Sequence, residues 1–167
     1  MRFVLVDRLL RVEAAERLVA ERTFDASEEL FLDHFPGRPL VPGTLLTEAI
    51  AQTGGWLIVL GSGFLVLPIL ALVERAKFRR PVRPGTLLTL VASRSADPSV
   101  PRAGTSCRVE GEARIGSQVV ASASCVYQLF EPAALGLRGA EYSDWLARTY
   151  HRLGEGCEGC PPLRSRS

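Results

Sequence analysis

Residues 33–55 read DHFPGRPLVPGTLLTEAIAQTGG, and this stretch decides how the rest of the chain is read. It places His34, one of only two histidines, beside three prolines, Pro36, Pro39 and Pro42. Proline fixes its own φ and lacks an N–H, so the segment is a stiff loop, excluded from regular helix and from a central strand. Gly43 and Thr44 then open an apolar run to about Leu60, with Leu45, Glu48, Ala49, Gln52 and Trp56 at helical spacing. Thr44 is expected as the N-cap. The puzzle is Glu48, a lone carboxylate among Leu45, Leu46, Ala49 and Ile50. Packing alone explains neither the stiffened histidine nor the apolar glutamate, whereas acid–base chemistry needs both.

The surrounding sequence sets that helix among strands. Phe3 to Val12 and 17–25 carry strand character, the second with Leu18, Ala20, Arg22 and Phe24 in alternation. After the helix come four more strand runs, roughly 64–78, 86–95, 105–115 and 118–130, separated by RRPVRPG, ADPSVPRAG and a Gly116-Ser117 turn. Two strands, one long helix and four strands with short connections make an α+β architecture, an antiparallel sheet with one apolar helix against it. Residues 1–130 form one domain, and 131–167 a linker, a short amphipathic helix and a mobile tail. Tyr142, Trp145, Leu146, Tyr150 and Leu153 give that short helix its stripe.

Composition excludes several function classes. With 167 residues, 47% hydrophobic and 23% charged, the chain is globular and of single-domain size. A net charge of +2 and no basic stretch with interleaved aromatics leave nucleic-acid binding unsupported. Ala49 to Val73 carries no charge, but Gly54, Gly55, Gly61, Gly63 and Pro68 punctuate it, which suits a buried helix and strand rather than a membrane span. Four scattered cysteines and early charges at Asp7 and Arg8 point to a reduced, cytoplasmic protein. Cys157, Cys160 and His151 offer three ligands at most, short of a closed zinc site, so no metal is expected.

The chain resembles the β-hydroxyacyl-acyl-carrier-protein dehydratases, which have the hotdog fold. The resemblance rests on HFPGRPLVPGTLLTEAIAQ, where His34, Phe35, Pro36, Pro39, Pro42, Gly43, Glu48 and Gln52 all stand at the family's spacing. RAKFRRPVRPG and the last hairpin add weaker support. Asp33 stands where the family usually has glycine, and the chain beyond Glu131 matches nothing in it. The resemblance implies dehydration of (3R)-hydroxyacyl thioesters to trans-2-enoyl thioesters in fatty-acid or related acyl-chain synthesis, with the acyl group on an acyl carrier protein and no cofactor. It implies His34 and Glu48 as catalytic residues, drawn from two subunits of a homodimer or a dimer-based higher oligomer. The Gly43 amide, with Phe35, Pro42 and Gln52, is expected to meet the substrate.

The residue types suit that chemistry. Elimination needs a base for the C2 proton, and unperturbed histidine titrates near neutral pH. A carboxyl group can orient or protonate the departing hydroxyl, and amides at a helix N-terminus can hold the enolate-like oxygen. Arg75, Lys77, Arg79, Arg80 and Arg83 put five positive charges into nine residues. They read equally as a solvated edge strand or as a steering surface for an acidic carrier protein. Rival readings are a hotdog thioesterase and an inactive acyl-binding or scaffold subunit.

Overall fold

The computed structural model describes residues 3–13, 16–35, 37–94, 100–136 and 139–162, omitting the side chains of 32, 33, 139–141 and 143. Pro36, the Asp33 side chain and residues 163–167 therefore lie outside the described residues. Strands β1 (Arg8–Glu13) and β2 (Arg17–Thr23) are followed by a single helical turn, α1 (Leu30–Asp33), and the long helix α2 (Gly43–Gly61). Strands β3 (Leu67–Phe78), β4 (Leu87–Arg94), β5 (Ser106–Ile115) and β6 (Gln118–Phe130) complete a six-stranded sheet. A 3-10 turn at Pro132–Leu135 then leads to helix α3 (Gly139–Leu153).

The sheet order is β1-β2-β4-β5-β6-β3 and every neighbouring pair is antiparallel. Placing β3 at the far edge, beyond β6, forces the chain to cross the sheet between β2 and β3, and α2 makes that crossing. It packs against β2, β3, β4, β5 and β6 in turn. Leu46, Ala49, Ile50, Leu57 and Ile58 on the helix meet Leu18, Leu88, Leu90, Val109, Ala121 and Leu129 from the strands, all nearly solvent-free. This is the hotdog architecture, one helix wrapped by an antiparallel sheet.

Two glycines make the wrap close enough. A Cβ on Gly54 would sit 2.6 Å from the Tyr127 hydroxyl, which donates a 2.6 Å hydrogen bond to the Ala51 carbonyl of the helix. At the helix start, a Cβ on Gly43 would meet the Phe78 ring at 2.9–3.1 Å. Glycine inside a helix costs about 1 kcal/mol relative to alanine; here it lets β6 bond to the helix backbone.

The uncharged run from Ala49 to Val73 is divided between α2 and β3, and among the described residues no helix is long and apolar enough to cross a membrane. Regular pairing in β1 begins at Arg8 rather than Phe3, because the Leu5 N–H is bonded to the Gln52 side chain at 2.7 Å. Thr44 is not the N-cap. Pro42 takes that place with an extended ψ of 137°, and the Leu45 and Leu46 amides bond its carbonyl at 3.0 and 3.2 Å.

Residues 154–162, expected as part of a mobile tail, fold back onto the sheet. Glu158 bridges to β1, its N–H reaching the Leu10 carbonyl and its carbonyl accepting from Val12, at 2.9 and 2.8 Å. Tyr150 donates to the Pro161 carbonyl at 2.6 Å. A Cys157–Cys160 disulfide closes the turn between them. It spans a sequence separation of three and joins no two elements, unlike the bridges that staple small secreted domains. Truncation after Leu153 removes these three hydrogen bonds, each worth about 1 kcal/mol net. Urea unfolding of the truncated chain should show a loss of about 2–3 kcal/mol; an unchanged midpoint would show that the turn is ornamental.

Candidate active site

The sheet leaves one stretch of α2 uncovered, and Glu48 stands on it. A cavity of about 330 Å³ opens there, between α2, β3, the N-terminal segment and α3. Its α2 wall is Glu48, Ala51, Gln52, Gly55, Trp56 and Val59; Leu67 to Leu70 of β3 form a second wall. Glu48 is the only carboxylate among the described residues lining it.

Gln52 holds that carboxylate. Its Nε2 donates to Glu48 Oε1 at 2.9 Å and to the Phe3 carbonyl at 3.0 Å, while its Oε1 accepts from the Leu5 N–H. Both amide hydrogens and the carbonyl oxygen are thus engaged by protein. Gln52 borders the cavity and clamps Glu48 to the N-terminal segment. Tyr127, which sequence reading did not single out, closes the cavity floor. Burial above all pushes its hydroxyl well above the ordinary phenol range, with Cys125 and Glu48 adding to the shift. It therefore stays protonated and keeps its bond to the helix.

His34 is positioned by separate devices. It ends α1, which Phe31 anchors in the core at 5% exposure. Arg22 pairs with Asp7 at 2.7 Å and with Glu28 at 3.2 Å, tying β2 to the segment that leads into α1. Phe35 follows with φ of 60°, the left-handed region, which costs a bulky residue about 1–3 kcal/mol. Its exposed ring meets the imidazole edge-on at 4.6 Å. The Arg38 N–H reaches the Phe35 carbonyl at 2.9 Å and closes the turn, and the Val41 N–H bonds the Val82 carbonyl at 2.8 Å to moor the far end.

Within one chain, His34 is not among the described residues that line the Glu48 cavity. A second hollow of about 300 Å³ lies at the α2 N-terminus, lined by Val41, Gly43, Leu46, Phe78, Arg79, Arg80, Pro81 and Val82. Helix geometry leaves the Gly43 and Thr44 N–H groups without intrahelical partners there. Arg75, Lys77, Arg79, Arg80 and Arg83 are all exposed; Arg75 faces Glu110 at 3.6 Å and Arg79 bonds Ser122 at 2.9 Å. Among the described residues no cluster of three or more His, Cys, Asp or Glu could hold a metal.

A family profile described as "FabA-like domain" matches residues 1–124. The chain belongs to this family. A 3-hydroxyacyl-[acyl-carrier-protein] dehydratase FabZ of Rhizorhabdus wittichii is 37% identical over 134 residues, 77% of this chain and 81% of the relative. The FabZ of Alkaliphilus metalliredigens is 37% identical over 132 residues, 78% and 86% of the two chains. Among solved structures, a conserved protein of Pseudomonas aeruginosa superposes with a TM-score of 0.57 at 17% identity, covering 76% of this chain and 90% of that one. That likeness concerns the fold. The FabA-like match ends at residue 124, before α3 begins.

The Gln52 clamp has a measurable consequence. Gln52→Leu strands the N–H of the fully buried Leu5, and a polar group left unpaired on burial costs about 1–3 kcal/mol. Chemical denaturation should show a loss in that range. Unchanged stability would mean that the N-terminal segment does not depend on the helix.

Proposed function

We propose that this protein dehydrates (3R)-3-hydroxyacyl thioesters carried on an acyl carrier protein, giving trans-2-enoyl thioesters. The observation that carries the reading is Glu48, a clamped carboxylate in the wall of an otherwise apolar cavity, in a chain of the FabA-like family. The acyl group lies in the cavity, and the thioester sits at its mouth. His34 removes the C2 proton, and Glu48 orients and protonates the C3 hydroxyl as it leaves as water. Charge building on the thioester oxygen is met by the free amides at the start of α2, with the helix dipole behind them. No cofactor is required.

The histidine comes from a second copy of the chain. Two features support this: His34 lies outside the Glu48 cavity of its own chain, and the edge strand β3 exposes a row of apolar side chains ahead of and beside its charges. Twelve residues long and paired only to β6, it exposes Ile69, Leu70, Leu72, Val73 and Phe78. An apolar edge of this length invites pairing with another strand, and a second β3 is the self-complementary partner. Glu48 argues for dehydration without double-bond isomerisation, since the dehydratases this chain resembles differ at that position from their bifunctional dehydratase-isomerase relatives, which carry aspartate. The cytoplasm is where such a carrier-linked enzyme would work.

Purified variants test the roles. His34→Ala should lower kcat by about 10²–10⁴-fold, and His34→Asn should do no better, because an amide cannot take the proton. Glu48→Gln keeps the clamp with Gln52 and the side-chain shape, so it should fall comparably in kcat with KM little changed. Near-normal turnover by folded His34→Ala protein would overturn the mechanism.

The basic run acts on encounter. Arg79→Ala with Arg80→Ala should weaken kcat/KM for carrier-protein substrate and flatten its salt dependence, because steering charges are screened over about 8–10 Å at physiological salt. A small pantetheine thioester, which has no acidic surface to steer, serves as the control. Equal losses with both substrates would make the arginines structural.

A further inference from the structure

Helix α3 lies beyond the FabA-like match, yet it forms one side of the Glu48 cavity. Its apolar stripe does two jobs. Tyr150 and Leu153, at 7% and 0% exposure, bolt the C-terminal half to the body. The Tyr150 ring packs edge-on against Phe64 at 5.1 Å and tilted against Trp56 at 6.2 Å. The other half, Tyr142, Trp145, Leu146 and Thr149, faces the cavity. Burial pushes the Tyr142 hydroxyl up to about 12, as expected for a phenol covered by apolar surface. Tyr142 and Trp145 stack at 6.0 Å, making a flat aromatic panel.

The arrangement has a direction. The α2 wall runs from Glu48 to Val59, eleven residues and so about 16 Å along the helix axis. Trp56 and Phe64 mark the end away from Glu48, and Tyr150 sits on both. Thr149, its neighbour in sequence and part of the lining, therefore stands toward that end of the trough. The trough is lined almost throughout by carbon, and its volume is near the lower limit for small-molecule sites.

We propose that α3 is the outer wall of the acyl-binding trough and that Leu146 and Thr149 limit the length of the acyl chain the enzyme accepts. The occupant is the hydrocarbon tail of the substrate, running from the carboxylate at Glu48 to the stop at Thr149. The assignment rests on the dehydratase reading of Glu48. Without α3 the same trough would be open along one side and would discriminate poorly by length. Leu146 and Thr149 both line the trough and are nearly buried, at 5% and 8% exposure, so a change of side-chain size at either is felt inside it.

Two substitutions should move the limit in opposite directions. Leu146→Ala opens the wall and Thr149→Met fills the end away from Glu48; Trp145→Ala, at a half-exposed position, is a second opening variant that folding tolerates more easily. The first readout is kcat/KM along a series of 3-hydroxyacyl-pantetheine thioesters of increasing chain length. The ratio of long-chain to short-chain kcat/KM should rise with either opening variant and fall with Thr149→Met, by about fourfold for each methylene gained or lost. The second readout is binding of saturated acyl-pantetheines, which cannot be dehydrated, followed by tryptophan fluorescence. Trp56 and Trp145, the only two tryptophans of the chain, both line the trough and report its occupancy. Binding should shift with chain length in the same order as turnover. A length profile unmoved in both readouts by folded variants overturns the proposal. Shifted binding with no dehydration by the wild-type protein would instead leave the wall standing and sink the dehydratase reading.

Discussion

A helix enclosed by a sheet has almost nowhere to carry a charge, and that constraint organises this molecule. Helix α2 touches five strands, and most of its length is sealed by aliphatic side chains. Glu48 stands where a cavity remains between α2 and β3, and Gln52, one turn on, holds the carboxylate. The same glutamine gathers the N-terminal segment, so the clamp is part of the fold as well as of the site. A carboxylate placed this way is partly desolvated and fixed in direction, which is what an acid acting on one hydroxyl needs.

The histidine loop obeys the opposite logic. It lies outside the core and is made rigid by prolines, by the left-handed Phe35 and by its mooring to Val82. Strain held in such a loop is ordering done before substrate arrives. The two halves of the proposed chemistry are thus built separately, one by enclosure and one by stiffening. In the dimer proposed above, the exposed apolar face of β3 is the surface that unites them across two copies of the chain.

Much of this was legible in residues 33–55, because proline spacing, the start of an apolar helix and a lone glutamate each have few physical explanations. The strand runs after Leu60 were equally clear, since alternation and Gly/Pro turns mark them. The helix start was misread at Thr44: a threonine in front of an apolar run looks like a cap, but Pro42 already supplies the extended residue and the accepting carbonyl. Tyr127 and the triple use of Gln52 could not be read, because their partners Ala51, Phe3 and Leu5 are brought close only by the sheet wrapping the helix. The stripe on α3 was visible, yet periodicity says that a face is covered and not what covers it. Its place along the Glu48 cavity follows from the packing of Tyr150 on Trp56 and Phe64, which anchors the helix over the cavity's far end.

The central claim is that one active site is assembled from His34 of one chain and Glu48 of another. Mixing two inactive proteins, His34→Ala and Glu48→Gln, under conditions that exchange subunits tests it most directly. A mixed dimer contains one site with both residues intact and one with neither. Activity should therefore reappear on mixing, approaching one quarter of wild type per chain at random exchange of equal amounts, on the order expected when half the dimers are mixed and each carries one of two sites. Mixtures that exchange subunits fully and stay as inactive as either parent would contradict the account.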